Sequence, residues 1–336
     1  MIFGRSPLRV SFAGGGTDLE EYHNKHIGHT VTFTINKYTY VVAKTRTDSK
    51  FQGFSPDFAS HQPPRRIHKI EPIQGHEIIV AILKELNFKK GLDIFFCSDV
   101  GPGSGLGASS SLASNLVNVI TQLKGVSWSK QQIANKAYQI GHDLLKWNIG
   151  KQDEFSSVHG GLNLLSFTKG KVEVKPIIIS RTVENELQNN SLLFYLGPRK
   201  SSHEILRSQA DNIKKSNKQT MAALHKAKEL ALEVYDSLIA GDLTKFGYLI
   251  NKGWEQKKKF TNNITDSRID SVINLALNNG ALGIKITGAG GGGHLYAYAD
   301  KSKHKSIIYS LKKAGVKHVD FKYQHQGITA IDTDIL

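Results

Sequence analysis

The stretch from Asp99 to Ser111 constrains this chain more than any other. It reads Asp99-Val100-Gly101-Pro102-Gly103-Ser104-Gly105-Leu106-Gly107-Ala108-Ser109-Ser110-Ser111, with four glycines and four serines. The apolar and aromatic run before it, Leu92-Asp93-Ile94-Phe95-Phe96-Cys97, predicts a strand. After it, Leu112, Leu116, Val119 or Ile120, and Leu123 recur at helical spacing. A glycine-rich turn therefore delivers the chain from a strand into a helix N-terminus. Backbone amides there have no intrahelical partner, and the aligned peptide dipoles add about half a positive charge. Such a corner suits a phosphate. The serines can cap the helix, and one hydroxyl can reach a metal carried by the same phosphates.

Glycine-rich turns also serve simply to turn corners. No Lys follows the last glycine, so the Walker pattern is absent. A serine cluster takes the close-packing position of a dinucleotide fingerprint, and no acid ends a clear second strand about 20 residues on. The loop alone does not decide its ligand.

Composition narrows the field. The chain has 336 residues, enough for one or two domains, and a net charge of +15. Scattered lysines, with local runs at Lys214-Lys215 and Lys257-Lys258-Lys259, accompany no recognised nucleic-acid module. A basic surface steering anionic substrates is the expectation, with no nucleic-acid partner. No run of about 18 apolar residues predicts a membrane span. The N-terminus lacks the apolar core of a signal peptide. Cys97 is the sole cysteine, which fits a reducing cytoplasm and no disulfide framework.

Two further glycine-rich turns flank this one. Pro7 to Ala13 alternates Leu8, Val10 and Phe12 on one face against Arg9 and Ser11 on the other, a strand that runs into Gly14-Gly15-Gly16-Thr17-Asp18. Asp18 reads either as a helix cap or as an acceptor for sugar hydroxyls. The third turn, Gly288-Ala289-Gly290-Gly291-Gly292-Gly293, joins predicted strands over 282–287 and 294–299. So many glycines weaken a fold unless something must approach that backbone closely. Between these turns, 29–46 reads as one or two strands, 50–72 as a polar surface excursion and 78–86 as a short helix. A helix is expected over 130–147. The break at Asn148-Ile149-Gly150-Lys151-Gln152-Asp153-Glu154 follows, where Asp153 reads as a general base, a metal ligand or a cap. A strand is expected over 162–165. The polar stretch 180–191 reads as a domain boundary, a strand resumes over 192–196, and helices follow over 201–240, 243–260 and 265–279.

The three turns together, in this order and spacing, resemble the GHMP kinases. The carriers are Pro7-Leu8-Arg9-Val10 with Gly14-Gly15-Gly16-Thr17-Asp18, then Pro102 through Ser110, then Lys285-Ile286-Thr287-Gly288-Ala289-Gly290-Gly291-Gly292-Gly293. Within that superfamily, Phe12 through Leu19 and Gly150-Lys151-Gln152-Asp153 look like the D-glycero-D-manno-heptose 7-phosphate kinases. Those act at the anomeric hydroxyl and supply heptose 1,7-bisphosphate for GDP-heptose. The fucokinase and galactokinase branches share the first motif more loosely.

The resemblance implies an α+β fold in two halves, 1–185 binding nucleotide and 186–336 carrying an antiparallel sheet on helices, with the active site in the cleft between them. It implies ATP and Mg²⁺ as cofactors, a sugar phosphate as substrate, and a monomer or homodimer. ATP phosphates fall to Gly101, Pro102, Gly103, Ser104, Gly105, Leu106, Gly107, Ala108, Ser109 and Ser110, with Ser109 a metal ligand. Asp153 becomes the base at the attacking hydroxyl and Arg9 its cationic neighbour. Gly15, Gly16, Thr17 and Asp18 bind the sugar, and Thr287, Gly288, Ala289 and Gly290 close the site. Lys151, Arg199 and Lys200 are the candidates for the sugar's own phosphate. One position departs from the pattern: Gly141 stands where relatives carry a metal-binding Glu, which leaves the neighbouring Asp143 as a second ligand by a shifted register. A catalytically silent, sugar- or nucleic-acid-binding relative is the rival expectation.

Overall fold

Strand β1 (Ile2–Ala13) carries both Arg9 and the approach to the first glycine turn. The computed structural model describes residues 1–199 and 202–333. In chain order, β1 is followed by α1 (Glu20–His23), β2 (Gly28–Arg46), β3 (Lys50–Ser55), β4 (Ser60–Arg66), α2 (Glu77–Glu85), β5 (Gly91–Ser98), α3 (Ala108–Leu123), α4 (Lys130–Gln139), α5 (Gln152–His159), β6 (Leu162–Thr168) and β7 (Lys171–Pro176). Then come α6 (Arg181–Asn189), β8 (Ser191–Gly197), α7 (Ser202–Lys214), α8 (Lys218–Ala240), α9 (Leu243–Lys257), α10 (Ser267–Asn278), β9 (Gly283–Ile286), β10 (Gly293–Tyr298), α11 (His304–Lys313), β11 (Lys317–Val319) and β12 (Thr329–Asp332).

Two sheets result, as expected of an α+β fold. The larger is mixed and runs β12-β1-β2-β5-β3-β4, with β6 pairing β2 and β7 beyond it. Only the β3–β5 contact in it is parallel. The smaller, β11-β8-β10-β9, is antiparallel throughout. Leu8, Val10 and Phe12 pack into a core with Val234, Phe246 and Leu249 of α8 and α9, and Phe12 meets Phe246 edge-on and Tyr296 of the smaller sheet. That core joins the halves. The opposite face of β1 is buried too, under α3 and α5, which turns Arg9 into the protein rather than toward water.

Four expectations change. The excursion at 50–72 forms the β3–β4 hairpin on the sheet edge, where Pro63 and Pro64 cost no ladder bond to a further strand. The stretch 180–191 holds α6, capped by Ser180 accepting from the Val183 amide; Leu187 is its sole buried residue, so its period was faint. The helix expected over 130–147 stops at Gln139. A π-turn over Ile140–Leu144 follows, and the chain is irregular to Gly150. The chain's end does not stay with the smaller sheet, because β12 returns to pair with β1. Among the described residues, no helix is long and apolar enough to cross a membrane.

Candidate active site

All three glycine turns reach one cleft between the two sheets. Gly16 and Asp18 line it from the first, Gly103, Ser104, Gly105, Gly107, Ala108, Ser109 and Ser110 from the second, and Gly288 and Ala289 from the third. The second and third are bound together. The His294 amide donates to the Ser104 carbonyl at 3.0 Å. A Cβ on Gly288, at φ +70°, would stand 2.8 Å from the Gly105 carbonyl oxygen, so that contact needs glycine.

Arg9 and Asp153 face each other across the cleft floor. Arg9 Nε donates to Asp153 Oδ1 and Nη2 to Oδ2, both at 2.7 Å, while Nη1 donates to the Gly105 carbonyl at 2.9 Å. This bidentate fork fixes the plane of the carboxylate. Arg9 is 3 % exposed and Asp153 is 21 % exposed, so the acid, more than its partner, faces the open cleft. Asp153 lies in the first turn of α5, where the helix dipole favours negative charge. Gly107 forms the N-cap of α3 without a side-chain cap, which leaves the first amides of α3 open to an anion.

Asp18 is 2 % exposed and accepts from the Gly16 amide at 2.8 Å and the Gln152 amide at 3.3 Å. Burial, and then the Asp153 charge, push its carboxyl above the usual carboxylate range. Glu154, next to Asp153, is fully buried. Burial first and Asp153 second push it up to about 8, partly offset by the Ser110 hydroxyl.

Two cations line the cleft from the second half of the chain. Arg199 stands against Gly103 and Gly288, and its Nε and Nη1 are buried without a hydrogen-bond partner among the described residues. Burial and the neighbouring Arg9 bring it down to about 10. Lys257, at the end of α9, donates from Nζ to the Gly288 carbonyl. Burial brings it down to about 8, with Arg9 and Arg199 adding to the fall and Asp18 opposing it. Lys257 was expected to be one of a run of surface lysines; it is buried and faces the cleft. Gln209 of α7 lines the cleft too, buried, with its Nε2 unpartnered among the described residues.

Several expected residues stay away from this cleft. Lys151 is turned to Glu20 at 3.1 Å and lies over the Tyr138 ring, so its charge is spent outside the site. Thr17 Oγ1 shares its proton between the Gly14 carbonyl of its own turn and the His29 carbonyl of β2, a structural task. Thr287 is buried and bonds back to the His294 carbonyl, and Gly290 packs on Ile264. Gly15 lies beneath Gln152 rather than on the cleft surface. Leu106 is core, although its carbonyl accepts from the Arg9 amide, and Gly101 and Pro102 are exposed outside the lining. Asp143, expected as a second metal ligand, does not line the cleft. The π-turn leaves its carboxylate exposed and bonded to His142 Nδ1 at 2.7 Å. Lys200 lies outside the described residues.

Comparison with known proteins identifies the family to which these turns belong. Residues 75–161 match the GHMP kinases N terminal domain and residues 234–317 the GHMP kinases C terminal domain. The chain is similar to the D-glycero-alpha-D-manno-heptose 7-phosphate kinase of Campylobacter jejuni, 27% identical over 96% of this chain and 97% of that one. It is also similar to the L-fucokinase/L-fucose-1-P guanylyltransferase of Bacteroides fragilis, 25% identical over 89% of this chain but only 34% of that longer protein. In three dimensions it resembles a D-glycero-D-manno-heptose 1-phosphate kinase from Bacteroides thetaiotaomicron, with a TM-score of 0.82 over 99% of both chains at 21% identity, a likeness of fold alone.

Proposed function

The chain belongs to the GHMP kinases, and from that premise we propose that it carries the γ-phosphoryl group of ATP to the anomeric hydroxyl of D-glycero-D-manno-heptose 7-phosphate. The observation that carries the reading is the Arg9–Asp153 pair beside the uncapped N-terminus of α3, in one cleft with buried Asp18. Asp153 accepts the acceptor hydroxyl's proton as its oxygen attacks the γ-phosphorus. The bond from that phosphorus to the β–γ bridging oxygen breaks, ADP leaves, and the 1,7-bisphosphate remains. Arg9 holds the carboxylate in one orientation. The free amides at the start of α3, with the buried Nε and Nη1 of Arg199 that have no partner among the described residues, offset charge on the phosphates.

An ATP-borne Mg²⁺ fits the oxygen donors available. The Ser109 hydroxyl is exposed on the cleft and would hold it together with oxygens of the nucleotide. The chemistry such an ion would supply there is offset of charge on the phosphates.

The test is ADP release with Mg²⁺, ATP and a panel of heptose 7-phosphate, heptose 1-phosphate, L-fucose and D-galactose. The expected result is turnover with heptose 7-phosphate far above the others. Preference for L-fucose would move the assignment to the fucokinase branch, which the Bacteroides fragilis similarity favours second. No turnover with any of them would make the chain a silent relative.

A further inference from the structure

The buried acid and the buried lysine on the acceptor side of the cleft do not touch. Lys257 is 9 % exposed, and Asp18 is the carboxylate that acts on it most strongly, yet the two form no ion pair. An ammonium carries three N–H donors. Among the described residues one of them is used, on the Gly288 carbonyl, so two remain for the cleft. Each oxygen of Asp18 accepts one backbone amide and keeps a further lone pair. A buried donor and a buried acceptor left apart are each costly unless a third group satisfies both. The group that does so both donates and accepts. Asp18 would repel a phosphate or carboxylate there, and Lys257 would repel an amine. A hydroxyl satisfies both.

We propose that Lys257 is an acceptor-binding residue that donates to a sugar hydroxyl whose own proton, or that of its neighbour, is held by Asp18. This rests on the reading of the cleft as a sugar kinase site and names the residue from the second half of the chain that selects a polyol. Because the same ammonium holds Gly288, filling the acceptor site also braces the third glycine loop against the second.

Two experiments decide it. In the first, Lys257→Gln and Asp18→Asn are made singly and together, with unfolding temperature, ATP affinity and the acceptor KM for heptose 7-phosphate measured on each. Lys257→Gln is expected to raise the acceptor KM by about tenfold to a hundredfold, the range for a hydrogen bond to a charged group, while ATP affinity stays within about threefold. The double variant is expected to cost little more than the worse single one, since both lose the same hydroxyl. An unchanged acceptor KM in a folded variant, or equal losses for acceptor and ATP, would overturn the proposal. The second needs no substitution: acetic anhydride labelling of the wild-type protein, read at Lys257 by peptide mass spectrometry. Heptose 7-phosphate is expected to slow labelling and a non-hydrolysable ATP analogue alone to leave it unchanged; the reverse pattern, or no protection by sugar, refutes the assignment. Protection by sugar in the absence of any turnover would sustain Lys257 as a ligand while refuting the kinase reading.

Discussion

The ammonium of Lys285 on β9 donates to the carbonyl oxygens of Ser11 at 2.8 Å and Phe12 at 2.9 Å on β1. One residue of the smaller sheet thus bolts down the strand that carries Arg9. Burial first, then Lys257 and Arg9, hold this lysine well below its usual range. Lys285→Met leaves two buried carbonyls without their donor, at a cost of roughly 2–4 kcal/mol. Urea unfolding is expected to show a lower midpoint with an unchanged slope. A midpoint equal to the wild type would mean that the two halves do not depend on this bridge.

Asp153→Asn keeps the size of the side chain but removes the basicity needed to take a proton. It also breaks the charge-matched fork with Arg9. Turnover is expected to fall at least about a thousandfold, within the range for losing a positioned base together with its orientation. Nucleotide affinity, measured by titration calorimetry, is expected to change less than about threefold. Wild-type turnover in the variant would remove Asp153 from the reaction.

Glu154 supplies a pH signature. Its folded-state value of about 8 lies above the ordinary 4.5, so the folded chain binds this proton more tightly than the unfolded chain. Its contribution to stability is complete below pH 4.5 and is lost as pH rises through about 8, on the order of 5 kcal/mol in all. Glu154→Gln cannot ionise. It is expected to unfold at a higher temperature than the wild type at pH 8.5 and at a similar one at pH 5. Parallel pH curves for the two proteins would show that Glu154 does not titrate in this range.

The parts legible in the sequence were those written in local chemistry. The glycine turns, the alternation of β1 and the apolar face of α3 each follow from short-range rules, and they place most of the backbone that lines the cleft. The pairing of Arg9 with Asp153 spans 144 positions, so no spacing rule reveals it; the family resemblance did. Lys257 was hidden by its neighbours Lys258 and Lys259, which made it look solvated. Yet it follows Trp254 by three and Ile250 by seven, the spacing of the buried face of α9. Arg199 was legible only as a cation after a strand end, and it does line the cleft. Gln209 gave no such signal, because it joins the cleft only through tertiary packing. Asp143 misled because a regular helix was assumed through a segment that winds as a π-turn.

Gly107 separates backbone strain from damage to the site. It has φ +75°, and a Cβ there would stand 3.1 Å from Asp153 Oδ2 and 3.2 Å from Cγ. Gly107→Ala therefore carries two costs. The left-handed backbone costs about 1 kcal/mol with a side chain present. The methyl group also presses the carboxylate off its fork with Arg9, and sub-ångström misplacement of a reacting group lowers rate steeply. Gly125, just past the end of α3, is the control, because it has φ +72° and nothing within 4 Å of its would-be Cβ. Gly125→Ala is expected to lower the unfolding free energy by about 1 kcal/mol with kcat intact, whereas Gly107→Ala is expected to lose a similar amount of stability and at least about tenfold in kcat. Matching kcat values for the two variants would mean that the close approach of Gly107 to Asp153 has no part in catalysis.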